Sequence, residues 1–312
     1  MKEQQFARSI LTWYGTNQRS VPWRRIDISP YEVVISEFML QQTQVSRVAE
    51  KLPEFLKKFP TIFDLARAPK AEVIIAWQGL GYNRRALQLH ELAKEIVTKY
   101  NGIIPTTKEE IRSLPGVGSY MTGSILSFAY NLPEPAIDVN VRRIFLRYFE
   151  CKDQGLPMSK KEEDVLFKLV LKTIPHNKSC NFHNALMDFG SLVCLRAKPL
   201  CSICPLQKTC HFFPRYQAHG STALYVAEKK QEKGISENGK HIPNRIFRGR
   251  IIEWVRKNNG VETTLSELGH SIKKDYQNKE ETWLLSLCEK LEEEGFVKAK
   301  KKDEKITLTL AS

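Results

Sequence analysis

Four cysteines in one short segment, Cys194, Cys201, Cys204 and Cys210, follow the spacing C-x6-C-x2-C-x5-C in CLRAKPLCSICPLQKTC. Thiolates are soft ligands that select zinc or iron–sulfur clusters, so four of them in a loop-sized stretch can wrap one metal centre. The spacing matches neither the common ferredoxin runs nor zinc-finger pairs. A structural or disulfide-bonded set is the alternative. Three further cysteines, Cys151, Cys180 and Cys288, lie scattered and make the total of seven odd, which points to a reducing compartment rather than a secreted framework. A second chemical signal is LPGVGSY, Leu114–Tyr120, with Gly116 and Gly118 two apart. Glycine lets the backbone take positive φ and approach a ligand closely, and a helix beginning after it offers free N–H groups to a phosphate. Many helix connections use glycine for sterics alone. This pair gains weight from lying in a basic chain ahead of a metal-binding loop.

Hydrophobic periodicity predicts the scaffold that must hold these groups. PYEVVISEFMLQQTQVSRVAEKLPEFLKKF is helical in spacing with a break at Pro53, and KAEVIIAWQGLGYNRRALQLHELAKEIVTKY is two helices split by Gly79 and Gly81. TKEEIRSLPGVGSYMTGSILSFAY is helix, glycine turn, helix; DVNVRRIFLRYF is a helix with Asp138 as its N-cap. Residues 1–215 are therefore expected as a mainly α domain that includes the metal loop 194–210. Residues 216–241 are polar, rich in glycine and lysine and without period, the composition of a linker. In 242–312, three helical stretches precede two alternating ones around KKKDEK. Helix–helix–helix–hairpin is the order of a winged helix, a small α+β domain, with a generic appendage as the plain alternative.

The 312 residues carry a formal net charge of +13, which suits a polyanionic partner. No apolar run is long enough for a signal peptide or a membrane span. The default expectation is a bacterial cytoplasm, nucleoid-associated, with no membrane partner.

Six motifs occur in order: PWR (Pro22–Arg24), SEFMLQQTQV (Ser36–Val45), WQGLGYNRRALQLH (Trp77–His90), LPGVGSY, AIDVNVRRI (Ala136–Ile144) and the cysteine loop. Together they resemble the adenine DNA glycosylases, the MutY-like branch of the helix-hairpin-helix DNA glycosylases, over roughly the first 215 residues. The resemblance implies a 4Fe–4S cluster on Cys194, Cys201, Cys204 and Cys210, with Arg196 and Lys198 in the loop suited to phosphate. It implies monofunctional base excision repair of double-stranded DNA by a monomer, removing adenine mispaired with 8-oxoguanine or guanine. Glu37 becomes the general acid at purine N7 and then the base for water, and Asp138 the carboxylate beside the sugar, a two-carboxylate chemistry comparable with glycoside hydrolysis. Ile35, Phe38 and Met39 are expected to keep Glu37 dry and raise its pKa. Tyr120 contacts the glutamate. It stands where the related endonuclease III branch carries a Schiff-base lysine, so strand cleavage by that route is excluded. The target base must leave the stack; Gln42 fills the gap and Tyr82 wedges beside the opposite base. Taken singly, Glu37 reads as a solvated helix glutamate, Asp138 as a plain cap and Tyr82 as core.

Two departures stand out. The family usually has glycine after the aspartate; here Val139 precedes Asn140, and glycosylases acting on thymine or uracil opposite guanine also vary there. The usual Nudix-like domain that reads 8-oxoguanine is replaced by the 242–312 segment, whose Lys298, Lys300, Lys301 and Lys302 suit phosphate contacts or a solvated turn. A thymine or uracil mismatch glycosylase is thus the second enzymatic reading, and a non-catalytic DNA-binding iron–sulfur protein the third.

Overall fold

A computed structural model of the chain describes residues 2–153, 157–219, 232–302 and 305–311. Fifteen α-helices and four short 3-10 helices are assigned among them. In chain order the α-helices are α1 (Lys2–Asn17), α2 (Pro30–Leu40), α3 (Val45–Lys58), α4 (Ile62–Arg67), α5 (Lys70–Ala76), α6 (Arg84–Tyr100), α7 (Lys108–Ser113) and α8 (Ser119–Tyr130). There follow α9 (Val139–Glu150), α10 (Lys160–Thr173), α11 (Ser179–Leu192), α12 (Phe212–His219), α13 (Asn244–Lys257), α14 (Leu265–Ile272) and α15 (Glu281–Glu293). Strands β1 (Gly234–Glu237) and β2 (Lys240–Pro243) pair with each other. Strands β3 (Glu262–Thr264), β4 (Val297–Lys302) and β5 (Lys305–Leu310) form an antiparallel sheet in the order β3-β5-β4.

The helix starts follow from local chemistry. Thr61, Ser159 and Thr264 each close a capping box with the acidic residue three positions on, satisfying N–H groups that a helix end leaves free. Asn101, Asn131 and Cys151 stop α6, α8 and α9 in the left-handed conformation.

The chain forms two compact units that do not follow its order. One gathers the residues up to Glu37 with those from Ile103 through α12; the other gathers Phe38–Gly102 with the chain from β1 onward. In the first unit, Phe6 of α1 meets Phe145, Tyr148 and Phe149 of α9 and Phe182 of α11, ring centres 4.7–6.4 Å apart. In the second, Phe247, Ile251, Ile252 and Val255 of α13 share one core with Leu284, Leu287 and Leu291 of α15, Ile306 and Leu308 of β5, and Ile74 of α5. Arg256 ties α13 to the same helix, donating to the Ile74 carbonyl at 2.6 Å and to Asn83 at 3.1 Å.

Three local expectations are corrected. Pro53 does not break its helix: α3 runs through it. Pro53 is exposed while Val48, Leu52 and Phe55 stay buried, so its ring lies on the solvent side of the helix and the buried stripe is kept. The interruption falls earlier, at residues 41–44, where Gln42 takes φ 57°. Of the expected linker 216–241, residues 220–231 lie outside the described residues, 216–219 continue α12, and 234–241 belong to the β1–β2 hairpin, turned by Asn238 and Gly239 at positive φ. The C-terminal helices and hairpin are present with one addition, β3 between α13 and α14. Helix, strand, helix, helix, hairpin is the order of a winged-helix module.

Candidate active site and metal centre

Glu37 sits in the last turns of α2, 5 % exposed, among residues that are themselves buried: Ile35, Ser36, Phe38 and Met39. Its carboxylate accepts a hydrogen bond from the Tyr120 hydroxyl at 3.0 Å. Burial raises its pKa from 4.5 to about 7; hydrogen bonds from Ser124 and Tyr120 pull it back, and the charge of Asp138 pushes it further up. Tyr120 opens α8 after the glycine turn. Its own pKa is driven well above 10 by burial and then by the charges of Glu37 and Asp138, so it donates and does not ionise. Of the two turn glycines, only Gly116 uses positive φ, at 75°. Gly118 is extended at φ −97° and serves as N-cap of α8.

Asp138 caps α9. Its Oδ1 accepts from the backbone of Asn140 at 2.8 Å and of Val141 at 2.7 Å, and its Oδ2 from the Asn140 side chain at 2.7 Å. Burial raises its pKa, and these donors together with Arg143 oppose the rise. Three N–H groups aimed at one carboxyl favour its anionic form. The expected cap and the expected catalytic carboxylate are the same group. Val139 is 67 % exposed.

The segment before Asp138 is clamped from two helices. A Cβ on Gly123 of α8 would lie 2.1 Å from the Pro135 carbonyl oxygen, and one on Gly190 of α11 would lie 2.5 Å from Asn140 Cβ; only glycine permits either approach. The Ala136 N–H donates to His183 Nε2 at 3.1 Å, and His183 Nδ1 lies 2.9 Å from the Ser179 carbonyl and 2.8 Å from the Ser127 hydroxyl. Burial lowers the His183 pKa to about 4, which keeps the ring neutral with one acceptor nitrogen. PWR has a bracing part: Arg24 and Arg19 both grip the fully buried Asp188 of α11, at 2.6 Å each.

Arg143 connects this site to the cysteine loop. Its guanidinium donates to Asn140 Oδ1, to the Gly190 carbonyl and to the Cys194 carbonyl, each at 2.7 Å. One helical turn on, Arg147 donates to the carbonyls of Leu195 and Arg196, lies 3.6 Å from Cys194 Sγ, and pairs with Asp153. Neither arginine stood out in the sequence, although two arginines four apart on an otherwise inward-facing helix are a usable signal for a buried cation.

The four loop cysteines are unpaired and half-buried. Cys194, Cys204 and Cys210 pack beside the first unit's core. Among the described residues no three His, Cys, Asp or Glu side chains converge on a single-ion site. The donor set still fits a thiophilic centre. Burial, with a further push from neighbouring loop thiols, raises Cys201, Cys204 and Cys210, Cys204 to about 12. Three such groups ionise together only when cations compensate them. Arg196 and Lys198 are exposed between the first two cysteines.

Gln42 and Tyr82 lie in the second unit, both exposed and both at positive φ, 57° and 45°. The core role weighed for Tyr82 does not hold, since it is 47 % exposed. The buried Arg85, missed in the sequence, braces the two loops. It donates to the carbonyls of Phe38 and Met39 at 2.8 and 2.9 Å and to those of Leu80 and Gly81 at 3.0 Å.

Residues 35–171 match the HhH-GPD superfamily of base excision DNA repair proteins. Over 277 residues the chain is 35 % identical to the adenine DNA glycosylase of Buchnera aphidicola subsp. Baizongia pistaciae, covering 81 % of this chain and 78 % of that protein. It is 39 % identical over 200 residues to the adenine DNA glycosylase of Mycobacterium tuberculosis, covering 64 % of each. Among solved structures, a thermostable thymine-DNA glycosylase superposes with a TM-score of 0.64 at 31 % identity, over 69 % of this chain and 97 % of the other. A trapped endonuclease III–DNA covalent intermediate superposes with a TM-score of 0.58 at 24 % identity, over 69 % and 98 %, a likeness of fold.

Proposed function

This chain belongs to the adenine DNA glycosylase family, in the HhH-GPD superfamily, and from that membership we propose that it releases adenine mispaired with 8-oxoguanine or guanine in duplex DNA. The observation that carries the reading is Glu37, a carboxyl buried beside Tyr120 with its pKa raised to about 7. A group balanced between its two forms at neutral pH can give a proton and take one back. Glu37 gives its proton to adenine N7 as the C1′–N9 bond breaks, and the pair of electrons leaves with the base. Asp138, the anionic partner, stabilises the positive charge that grows on the sugar. Water then attacks C1′ and its proton returns to Glu37. Tyr120 holds the carboxyl in place and, lacking an amine, leaves the abasic strand uncut.

Gln42 and Tyr82 fill and wedge the duplex, while Gly116, Gly118, Arg196 and Lys198 meet its phosphates. The residues that would hold a 4Fe–4S cluster are Cys194, Cys201, Cys204 and Cys210. Such a cluster supplies a cross-link that fixes the loop carrying Arg196 and Lys198. The chain acts as a monomer, and 242–312 forms a winged-helix module that shares its core with Ile74 of α5. No helix among the described residues is long and apolar enough to cross a membrane.

Single-turnover excision from duplexes holding A:8-oxoguanine, A:G, T:G and U:G, quenched with and without alkali, tests the reading. Alkali-dependent cleavage fastest at A:8-oxoguanine is the expected result. The 31 % identity to a thymine-DNA glycosylase, together with Val139 in place of glycine, favours one second reading. Cleavage confined to T:G or U:G would establish it.

A further inference from the structure

Arg85 of α6, 6 % exposed, divides its guanidinium between two turns of the chain. Nη1 donates to the carbonyls of Phe38 and Met39 at 2.8 and 2.9 Å and to that of Gln41, at the turn that carries Gln42. Nη2 donates at 3.0 Å to the carbonyls of Leu80 and Gly81, in the turn that carries Tyr82. It also donates at 2.9 Å to Thr43 Oγ1, whose own proton goes to the Leu80 carbonyl at 2.9 Å. Thr43 is thus a second tie between the turns. The cation faces the rings of Trp77 and Tyr82 as well, 5.2 and 5.7 Å from their centres. All of these residues belong to the second unit.

Gln42 and Tyr82 are exposed and stand at φ 57° and 45°. Positive φ is costly for residues other than glycine and lasts only where the surroundings impose it. Exposed side chains take no such constraint from core packing. The constraint comes from Arg85, a planar fork with one prong in each turn. Extruding a base carries an unstacking cost, and a wedge already in shape need not be ordered as it enters. We propose that Arg85 is a positioning residue for base extrusion, joining the two turns so that Gln42 and Tyr82 enter the duplex as one wedge. This inference rests on the reading above, in which those two residues fill and wedge the duplex.

Single-turnover release of adenine is measured with the full-length protein on two duplexes, each rate taken relative to wild type. In one, adenine is mispaired with guanine; in the other, the same adenine is unpaired in a short internal loop, where extrusion costs least. Lysine keeps the charge but offers one nitrogen and cannot serve both turns. Arg85→Lys should slow release from the mispair roughly tenfold to a hundredfold, and from the loop by about twofold at most. A 2-aminopurine beside the mispaired adenine should brighten on mixing with wild type and stay dim with Arg85→Lys. Thr43→Val keeps the shape, removes the second tie, and should show the same contrast at smaller size. Should Arg85→Lys melt too low to assay, Thr43→Val decides. Tyr82→Ala should cost much less in the Arg85→Lys background than alone, because both act on one wedge. Equal slowing on both duplexes would assign Arg85 to the fold alone and overturn the inference, as would additive losses. If Tyr82→Ala slows the mispair and neither Arg85→Lys nor Thr43→Val does, the inference falls and the wedge stands. Unchanged release from the mispair in both Gln42→Ala and Tyr82→Ala removes the wedge itself.

Discussion

Replacing Glu37 by glutamine should remove base release and also stabilise the protein at neutral and alkaline pH. The carboxyl titrates near 4.5 in an unfolded chain and near 7 in the fold. Between those values the native state holds the extra proton, so stability falls as pH rises through the window, and the full cost stands above about pH 7. At about 1.4 kcal/mol per pH unit, that cost is roughly 3 kcal/mol, an upper figure because the glutamine amide needs partners of its own. Glutamine keeps an oxygen for the Tyr120 hydroxyl and has no charge to desolvate. Melting temperatures of wild type and variant, taken across pH, should lie close near about pH 5. By about pH 8 they should separate by up to about 6–12 °C in favour of the variant, given 2–4 °C per kcal/mol for a unit of this size. Wild-type excision should fall about tenfold per pH unit above about pH 7 as the acid form is lost. A melting gap that stays constant with pH, or excision that keeps rising above pH 7, would refute the argument.

Asp138→Asn should slow single-turnover release by about 10²–10³-fold while leaving duplex affinity within a small factor; an unchanged rate would remove Asp138 from the chemistry. Asp188→Asn leaves Arg19 and Arg24 facing a neutral group in a buried site, and should cost about 3–5 kcal/mol in denaturant unfolding. The His183 ring, lowered from 6.5 to about 4 by burial, binds fewer protons folded than unfolded. Stability should therefore fall by about 3 kcal/mol as pH drops through that window, and His183→Gln should flatten that limb of the melting curve. Cys204→Ser should lower bound iron and sulfide in the purified protein, and retention of both would take Cys204 out of the ligand set.

How much was legible depended on how local the signal was. Helices with a clean stripe and a cap, such as α9 behind Asp138, could be read directly, as could the glycine-split pair α5 and α6. Pro53 misled because its effect depends on which side of the helix it occupies, and that is set by the buried stripe Val48–Leu52–Phe55 rather than by proline itself. Strand β3 escaped because three residues show no period; its pairing with β5 across some forty residues is what makes it a strand. Glu37, Asp138 and Tyr120 were named from motif resemblance. The reason Glu37 suits the task, a buried carboxyl held by the Tyr120 hydroxyl from another helix, is a tertiary fact. Arg85 was hidden for a similar reason: several of the carbonyls it holds, those of Phe38 and Met39 among them, come from more than forty residues away.

The interleaving of the two compact units bears on how the chain folds during synthesis. The first unit needs its opening helix and then the chain from Ile103 through α12, so Phe6 waits for Phe145 and Phe182 to emerge. The second is complete only when β5 leaves the ribosome, although its first part, α3–α6, is made early. Until then Ile74, fully buried in the finished protein, has no α13 against it. Nascent chains past residue 102 therefore carry an exposed apolar seam for most of their elongation, a natural target for chaperones. Any shortened version that ends after the cysteine loop would carry that seam permanently.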